Sequence, residues 1–221
     1  MLVDTHAHLN FHDYDQDREA VFKRALDNDI WLINVGANLS SSQQAVGYLQ
    51  DYPIGVYAAV GLHPEHLVDQ IFEAEGKQTK IKKEILKIAA YKELTNASPK
   101  VVAIGEIGLD YYRLPENKKK QAKIKENQQA VFNELLALAG DLGLPVILHC
   151  REAHQDMLEI LRNYNLTGVA HSFAGREENL REYLKLGYYI GYNGIITFKK
   201  KAENIKRLVA ATPLDKIVLE T

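Results

Sequence analysis

A single cysteine, Cys150, stands among 221 residues, which excludes an internal disulfide. Long apolar runs are missing as well, and none approaches the ~18 uninterrupted residues of a membrane-spanning helix. The N-terminal MLVDTHAHLN places an acid and two histidines where a secretory leader needs a basic start and an apolar core. These absences lead to the expectation of a soluble, cytoplasmic protein with no membrane partner. No sign of charge dominates either. The 27 Lys and Arg meet 29 Asp and Glu, and the net charge of −2 does not advertise a nucleic-acid binder, yet it leaves room for an enzyme gripping a few phosphates. Low-complexity segments and short-period repeats are absent. So is a Gly-x-Gly-x-x-Gly turn after the first apolar run, which counts against an open, doubly wound sheet.

What is present suffices for one core. The chain is 46% hydrophobic and 25% charged, and its length falls short of the ~250 residues at which cores begin to split, so one domain over residues 1–221 is expected. Eight short apolar runs rich in Val, Ile and Tyr lie near 2 to 5, 30 to 36, 55 to 61, 101 to 107, 145 to 149, 168 to 171, 188 to 192 and 216 to 220. Most show little alternation, as parallel strands buried on both faces do. Helical patterns lie between them. In QQAVFNELLALAGDLG, residues Val131, Leu135, Leu138 and Leu142 share one face, and Gly143 suits a C-terminal cap. Others begin near Gln16, Ser41, Glu152, Arg176 and Lys201, with Ser41 a candidate N-cap. Eight strands alternating with helices predict an α/β fold, the (β/α)8 TIM barrel.

A barrel of this kind carries its active-site groups at the C-terminal ends of its strands. The first predicted strand runs into THAH, whose His6 and His8 share one side of an extended segment. The third runs into GLHPEH with His63, the fourth holds GEIGLD with Glu106, the fifth ends ILHCR with His149, and the sixth ends VAHSF with His171. Five of the eight histidines thus fall at strand ends. Several imidazoles and a carboxylate converging on one mouth are the donors of a divalent-metal site. A dinuclear centre, with metals ~3.5 to 4 Å apart, needs a bridging carboxylate and can hold a bridging hydroxide as nucleophile. Glu106 is the natural bridge, as the one carboxylate inside a strand-like run at that level. Taken singly, each residue has a plainer reading: paired histidines cap loops, a lone histidine hydrogen-bonds in a core, and a glutamate pairs inside a barrel.

VDTHAHLN, VGLHPE, IGEIGLDYYR, QQAVFNELLALAGDLGLPVILHCRE, VAHSFAG and PLDKIVLET, in this order, resemble the TatD family of metal-dependent deoxyribonucleases, from Val3 to Thr221. The resemblance implies a TIM-barrel hydrolase of the wider amidohydrolase superfamily that uses divalent metal to cut DNA, single-stranded or at 3′ ends. It assigns His6, His8, Glu106, His149 and His171 to two metal ions (Mg, Mn or Zn), with Glu106 bridging. His63 and Arg151 would face the substrate phosphate. Asp4, just before the histidine pair, is expected to orient an imidazole, the alternative being a polar plug at the barrel bottom.

The chain departs from the family pattern in places. A second histidine often follows the proline of the third-strand motif directly, whereas here Glu65 intervenes before His66. RLPENKKKQAKIKE, with Lys118, Lys119, Lys120, Lys123 and Lys125, is either the solvated start of a helix or a phosphate-steering flap, and Lys199 to Lys201 admit the same pair of readings. Cys150, turned away from His149 by alternation, is read as a packing residue. In the family the strand matching KIVLET is followed by a metal-ligating aspartate suited to act as general base. The sequence stops at Thr221, so the resemblance implies a shortened barrel without its eighth helix.

Three functions compete at this point. A phosphodiesterase comes first. An amide or ester hydrolase on the same metals, such as an aminoacyl-tRNA deacylase or a lactonase, comes second, and a disabled binding protein third. Many amidohydrolases bridge their metals with a carboxylated lysine, so the glutamate at position 106 favours the first. Intact ligand types at all five positions count against the third.

Overall fold

The computed structural model describes residues 1–74, 77–198 and 202–221, and of residues 71–74 and 77–79 only the backbone. Eight strands close a parallel barrel: β1 (Leu2–Ala7), β2 (Ile30–Val35), β3 (Val56–Val60), β6 (Val101–Asp110), β7 (Val146–Arg151), β8 (Gly168–Ala170), β9 (Tyr189–Tyr192) and β10 (Ile217–Leu219). Closure comes from β1, which pairs with β2 on one side and with β10 on the other. Each barrel strand coincides with an apolar run of the sequence.

Two further strands, β4 (Gln70–Ala74) and β5 (Lys77–Ile81), form an antiparallel hairpin outside the barrel. The sequence reading did not foresee it. β4 (QIFEA) has only two adjacent large apolar residues and β5 (KQTKI) only one, too few to read as strands, and the two become extended by pairing with one another. The same segment leads into α3 (Ile88–Asn96), also unforeseen.

The other helices are α1 (Arg18–Asp27), α2 (Leu39–Gly47), α4 (Lys118–Leu142), α5 (His154–Leu161), α6 (Glu177–Lys185) and α7 (Glu203–Ala211). In α4 the predicted stripe buries Val131, Leu135 and Leu138, and Gly143 caps it with φ 64°. The cap of α2 lies three residues before the predicted Ser41: the Asn38 side chain accepts from Ser41 N–H, and Ser41 Oγ accepts from Asn38 N–H in return. Ser41 is thus the return half of a capping box, a position that more often carries Glu or Gln. The lysines from Lys118 to Lys123 form the exposed first turns of α4, initiated by the Asn117 side chain. The run Lys199 to Lys201 lies outside the described residues.

Most of the core fills the space between barrel and helices. A separate small cluster, Val35, Ala59, Ala103 and Ile147, plugs the barrel interior. Small side chains in that layer leave room above it for the polar groups of the mouth.

Candidate metal centre

Glu106 occupies the axis of the mouth. Its position follows from a register shift: Gly105 pairs with Ile147 and Ile107 with Leu148, so Glu106 is an extra residue on β6, and such a bulge re-aims a side chain. Beyond it, Gly108 lies so close to β7 that a Cβ would sit 2.0 Å from the His149 carbonyl oxygen, with φ at +147°. Only glycine lets β6 pass here.

Five imidazoles surround this buried carboxylate. His149 Nδ1 lies 2.7 Å from Oε1, His6 Nε2 3.3 Å from Oε2, His63 Nε2 3.4 Å from Oε1, His171 Nε2 3.7 Å from Oε1, and His8 Nε2 4.0 Å from Oε2. Burial works to raise the Glu106 carboxyl, but His63, His171, His6 and the His149 hydrogen bond outweigh it and hold the group well below the usual carboxylate value. It is an anion at neutral pH.

The outer nitrogens of the rings sort them by role. His8 Nδ1 faces the Val35 carbonyl at 3.0 Å, an acceptor only, so Nδ1 carries the hydrogen and Nε2 presents its lone pair to the centre. His171 Nδ1 lies 3.1 Å from Glu220 Oε2, and although burial lowers the His171 pKa, the carboxylates of Glu106 and Glu220 outweigh it and raise it. His63 is the reverse of His8. Its Nδ1 accepts the Glu65 N–H at 3.1 Å, so a neutral His63 points an N–H at Glu106. His149 spans two carboxylates, Glu106 through Nδ1 and Asp110 through Nε2 (3.1 Å). Burial lowers its pKa, yet the two acids prevail and raise it to about 9. His6 is 1% exposed, stacks on His171 with 3.6 Å between centroids, and leaves its Nδ1 without a partner. Buried imidazole lone pairs meeting an anionic carboxylate are a donor set that fits borderline divalent ions such as zinc or manganese, so the residues present suit a metal.

Asp110 and Glu220 were missed by the sequence reading, which held Glu106 to be the one carboxylate at this level. Both are buried, Asp110 at the end of β6 and Glu220 just past β10. The signal was available, since each is an acid at a strand end, within the quoted GEIGLD and KIVLET. Asp4 is a correction in the other direction, because its carboxylate orients no imidazole. Oδ1 accepts the backbone N–H of His6 (3.1 Å) and of Thr221 (3.2 Å), and Oδ2 accepts the Thr221 hydroxyl (2.7 Å), tying β1 to the end of β10. Asp4 shares sequence parity with His6, but the pairing of β1 with β2 slips between Asp4 and Ala7 and turns the two apart.

Arg151 extends from the end of β7 to the rim, where its guanidinium lies over the Tyr112 ring at 3.5 Å. His66 approaches the Asn38 amide at 3.4 Å and stands outside the ring of histidines around Glu106. Cys150 faces outward toward the α5 and α6 layer, and burial pushes its thiol up to about 12, so it stays protonated. No helix among the described residues is long and apolar enough to cross a membrane.

The family model described as TatD related DNase matches residues 3–221. The chain is 36% identical over 225 residues to the uncharacterized metal-dependent hydrolase YabD of Bacillus subtilis, covering all of this chain and 79% of that protein. It is 34% identical over 226 residues to the 3′-5′ ssDNA/RNA exonuclease TatD of Erwinia billingiae, covering all of this chain and 78% of the relative. The solved structure of YjjV, a TatD homologue from Escherichia coli K12, superposes with a TM-score of 0.82 at 31% identity, over all of this chain and 78% of that one.

Proposed function

This chain belongs to the TatD-related DNase family of metal-dependent hydrolases, and from that premise we propose that it cleaves single-stranded DNA, and RNA of like form, at phosphodiester bonds from the 3′ end. In this reading His6, His8, Glu106, His149 and His171 would hold the divalent ions. The observation that carries it is one buried, ionised carboxylate within 4.0 Å of five imidazole nitrogens. When bound, divalent ions supply positive charge opposite the scissile phosphate and make water a nucleophile at neutral pH.

The chain's own groups do the rest. His8 presents an unprotonated Nε2, because its Nδ1–H donates to the Val35 carbonyl, and the Glu220 carboxylate stands behind the His171 ring. His149 would give up a proton to hold a metal, and Asp110, 3.1 Å from its Nε2, keeps the ring in place. His63, with its N–H directed inward, donates to a non-bridging phosphate oxygen. Arg151, held flat on Tyr112, adds the forked, charge-assisted pair that a phosphate accepts.

The test is a labelled single strand incubated with Mn, Mg or Zn, beside an aminoacyl-RNA and a lactone. Shortening from the 3′ end supports the proposal. Metal-dependent turnover of the ester or lactone alone replaces it with the acyl-hydrolase alternative.

A further inference from the structure

The mouth does not close on its α2 side. A cleft of about 950 Å³ runs outward from Glu106, His63 and His8, between the loop that follows β1 and the foot of the β4–β5 hairpin. Small-molecule sites span ~300–1,000 Å³, so this space is far larger than one phosphate beside Glu106 requires.

Its two walls differ in chemistry. On the β1 side Phe11 stacks on His8, with centroids 4.3 Å apart and planes 14° from parallel, placing an aromatic ring one step from the metal centre. On the hairpin side stand Lys80, Lys82 and Lys83, all exposed and all lining the cleft. None of the three takes part in an ion pair among the described residues. Acids line the cleft too, but most are already engaged. Glu84 accepts the Tyr91 hydroxyl at 2.8 Å and the Leu39 N–H at 3.2 Å, and Glu65 pairs with Arg113 at 3.2 Å. Glu106 belongs to the metal centre, and among the described lining residues Asp13 and the still-charged Glu84 stand against three ammonium groups.

The lysines stand on a fixed base. Lys83 N–H bonds Asp69 Oδ1 at 2.9 Å, and Glu84 N–H bonds the His66 carbonyl at 2.7 Å, so the foot of the hairpin is pinned to the loop after β3 and to α2. Amide side chains of Asn38 and Gln44 form the floor between the walls.

We propose that this cleft holds the single-stranded segment on the 5′ side of the scissile phosphate, an inference that rests on the phosphodiesterase reading above. Phosphates follow Lys80, Lys82 and Lys83, and an unpaired base stacks on Phe11. Ammonium groups tracking a backbone opposite an aromatic platform are how proteins hold single strands without regard to sequence. A duplex, whose bases stack on one another, offers Phe11 no face.

Three measurements test this: kcat/KM on single strands of 2 to 12 nucleotides, kcat/KM on bis(p-nitrophenyl) phosphate, which has no strand to hold, and anisotropy binding of a phosphorothioate 12-mer, single-stranded and duplex. The triple variant Lys80→Ala, Lys82→Ala, Lys83→Ala should lower the ratio of 12-mer to small-diester turnover by at least 10-fold. It should also flatten the log–log salt dependence of strand binding by about 0.7 per lysine. Phe11→Leu should lower the same ratio at least 5-fold, and the duplex should bind at least 10-fold more weakly than the strand. An unchanged ratio in the lysine variant, or equal binding of duplex and strand, overturns the proposal. If the wild type cleaves neither substrate, the phosphodiesterase reading falls, and the binding measurement alone still decides whether a strand lies on these lysines.

Discussion

Glu220 and His171 meet across an intervening strand: Oε2 of the one lies 3.1 Å from Nδ1 of the other, although β9 separates β8 from β10. Gly191 of β9 makes the meeting possible, since a Cβ there would stand 2.3 Å from Glu220 Oε2. Oε1 accepts the Ser172 N–H at 2.5 Å and fixes the carboxylate. In Glu220→Gln the negative charge behind the His171 ring is lost. Metal affinity is expected to fall ~10- to 100-fold, read by competition with a chromogenic chelator, while the melting temperature of the metal-free protein changes little. Gly191→Ala should weaken metal binding in the same way by displacing the carboxylate. Wild-type affinity in both variants would leave Glu220 a packing residue.

Glu106→Gln keeps the side-chain volume and removes the one anion that five imidazoles share. At least one metal ion should be lost on dialysis, and strand hydrolysis should drop ~100-fold or more. Elemental analysis and a gel assay read the two effects. Turnover close to wild type would end the dinuclear proposal.

Among the described residues the Arg151 guanidinium makes no hydrogen bond or ion pair with the groups around Glu106 and lies over Tyr112. Arg151→Ala should therefore retain its metal while kcat/KM on DNA falls ~10-fold or more. Arg151→Lys should recover little of that loss, because an ammonium has no planar fork to stack on Tyr112 or to pair two phosphate oxygens. Loss of metal in Arg151→Ala would make the residue a support of the site.

His154 offers a pH dependence remote from the metal centre. It packs beneath Phe173 and Tyr183, with the Tyr183 hydroxyl 3.3 Å from Nδ1, and burial pushes its pKa down from 6.5 to about 4. Above pH 6.5 the ring is neutral in both folded and unfolded chains. As pH falls from 6.5 toward 4, only the unfolded chain takes up the proton, so stability declines by up to ~1.4 kcal/mol per pH unit. Below 4 both states are protonated and the decline stops. In His154→Phe, urea unfolding of the metal-free protein should show an acid limb shallower by about one proton over that window. An unchanged limb would mean that His154 does not titrate with unfolding.

The candidate centre was legible in part because strand chemistry is local. His6, His8, Glu106, His149 and His171 stand at the ends of apolar runs, and both the run and the polar residue that stops it are visible in one dimension. Asp110 shares that property yet passed unnoticed, since its partner His149 lies 39 residues away and only the pairing of β6 with β7 brings the two together. The hairpin carries apolar runs too short to stand out as strands.

By itself the sequence determined the apolar runs of the barrel strands, the buried stripe of α4 and its glycine cap, and which residues are candidate metal donors, because these depend on periodicity and on residue chemistry. Only the tertiary structure decided where those donors point. A one-residue bulge puts Glu106 on the axis, a slip in the β1 pairing turns Asp4 away to Thr221, and the absence of a side chain at Gly191 lets Glu220 reach His171. Register and closure belong to pairs of strands distant in the chain, and a side chain's direction changes with every one-residue shift between them.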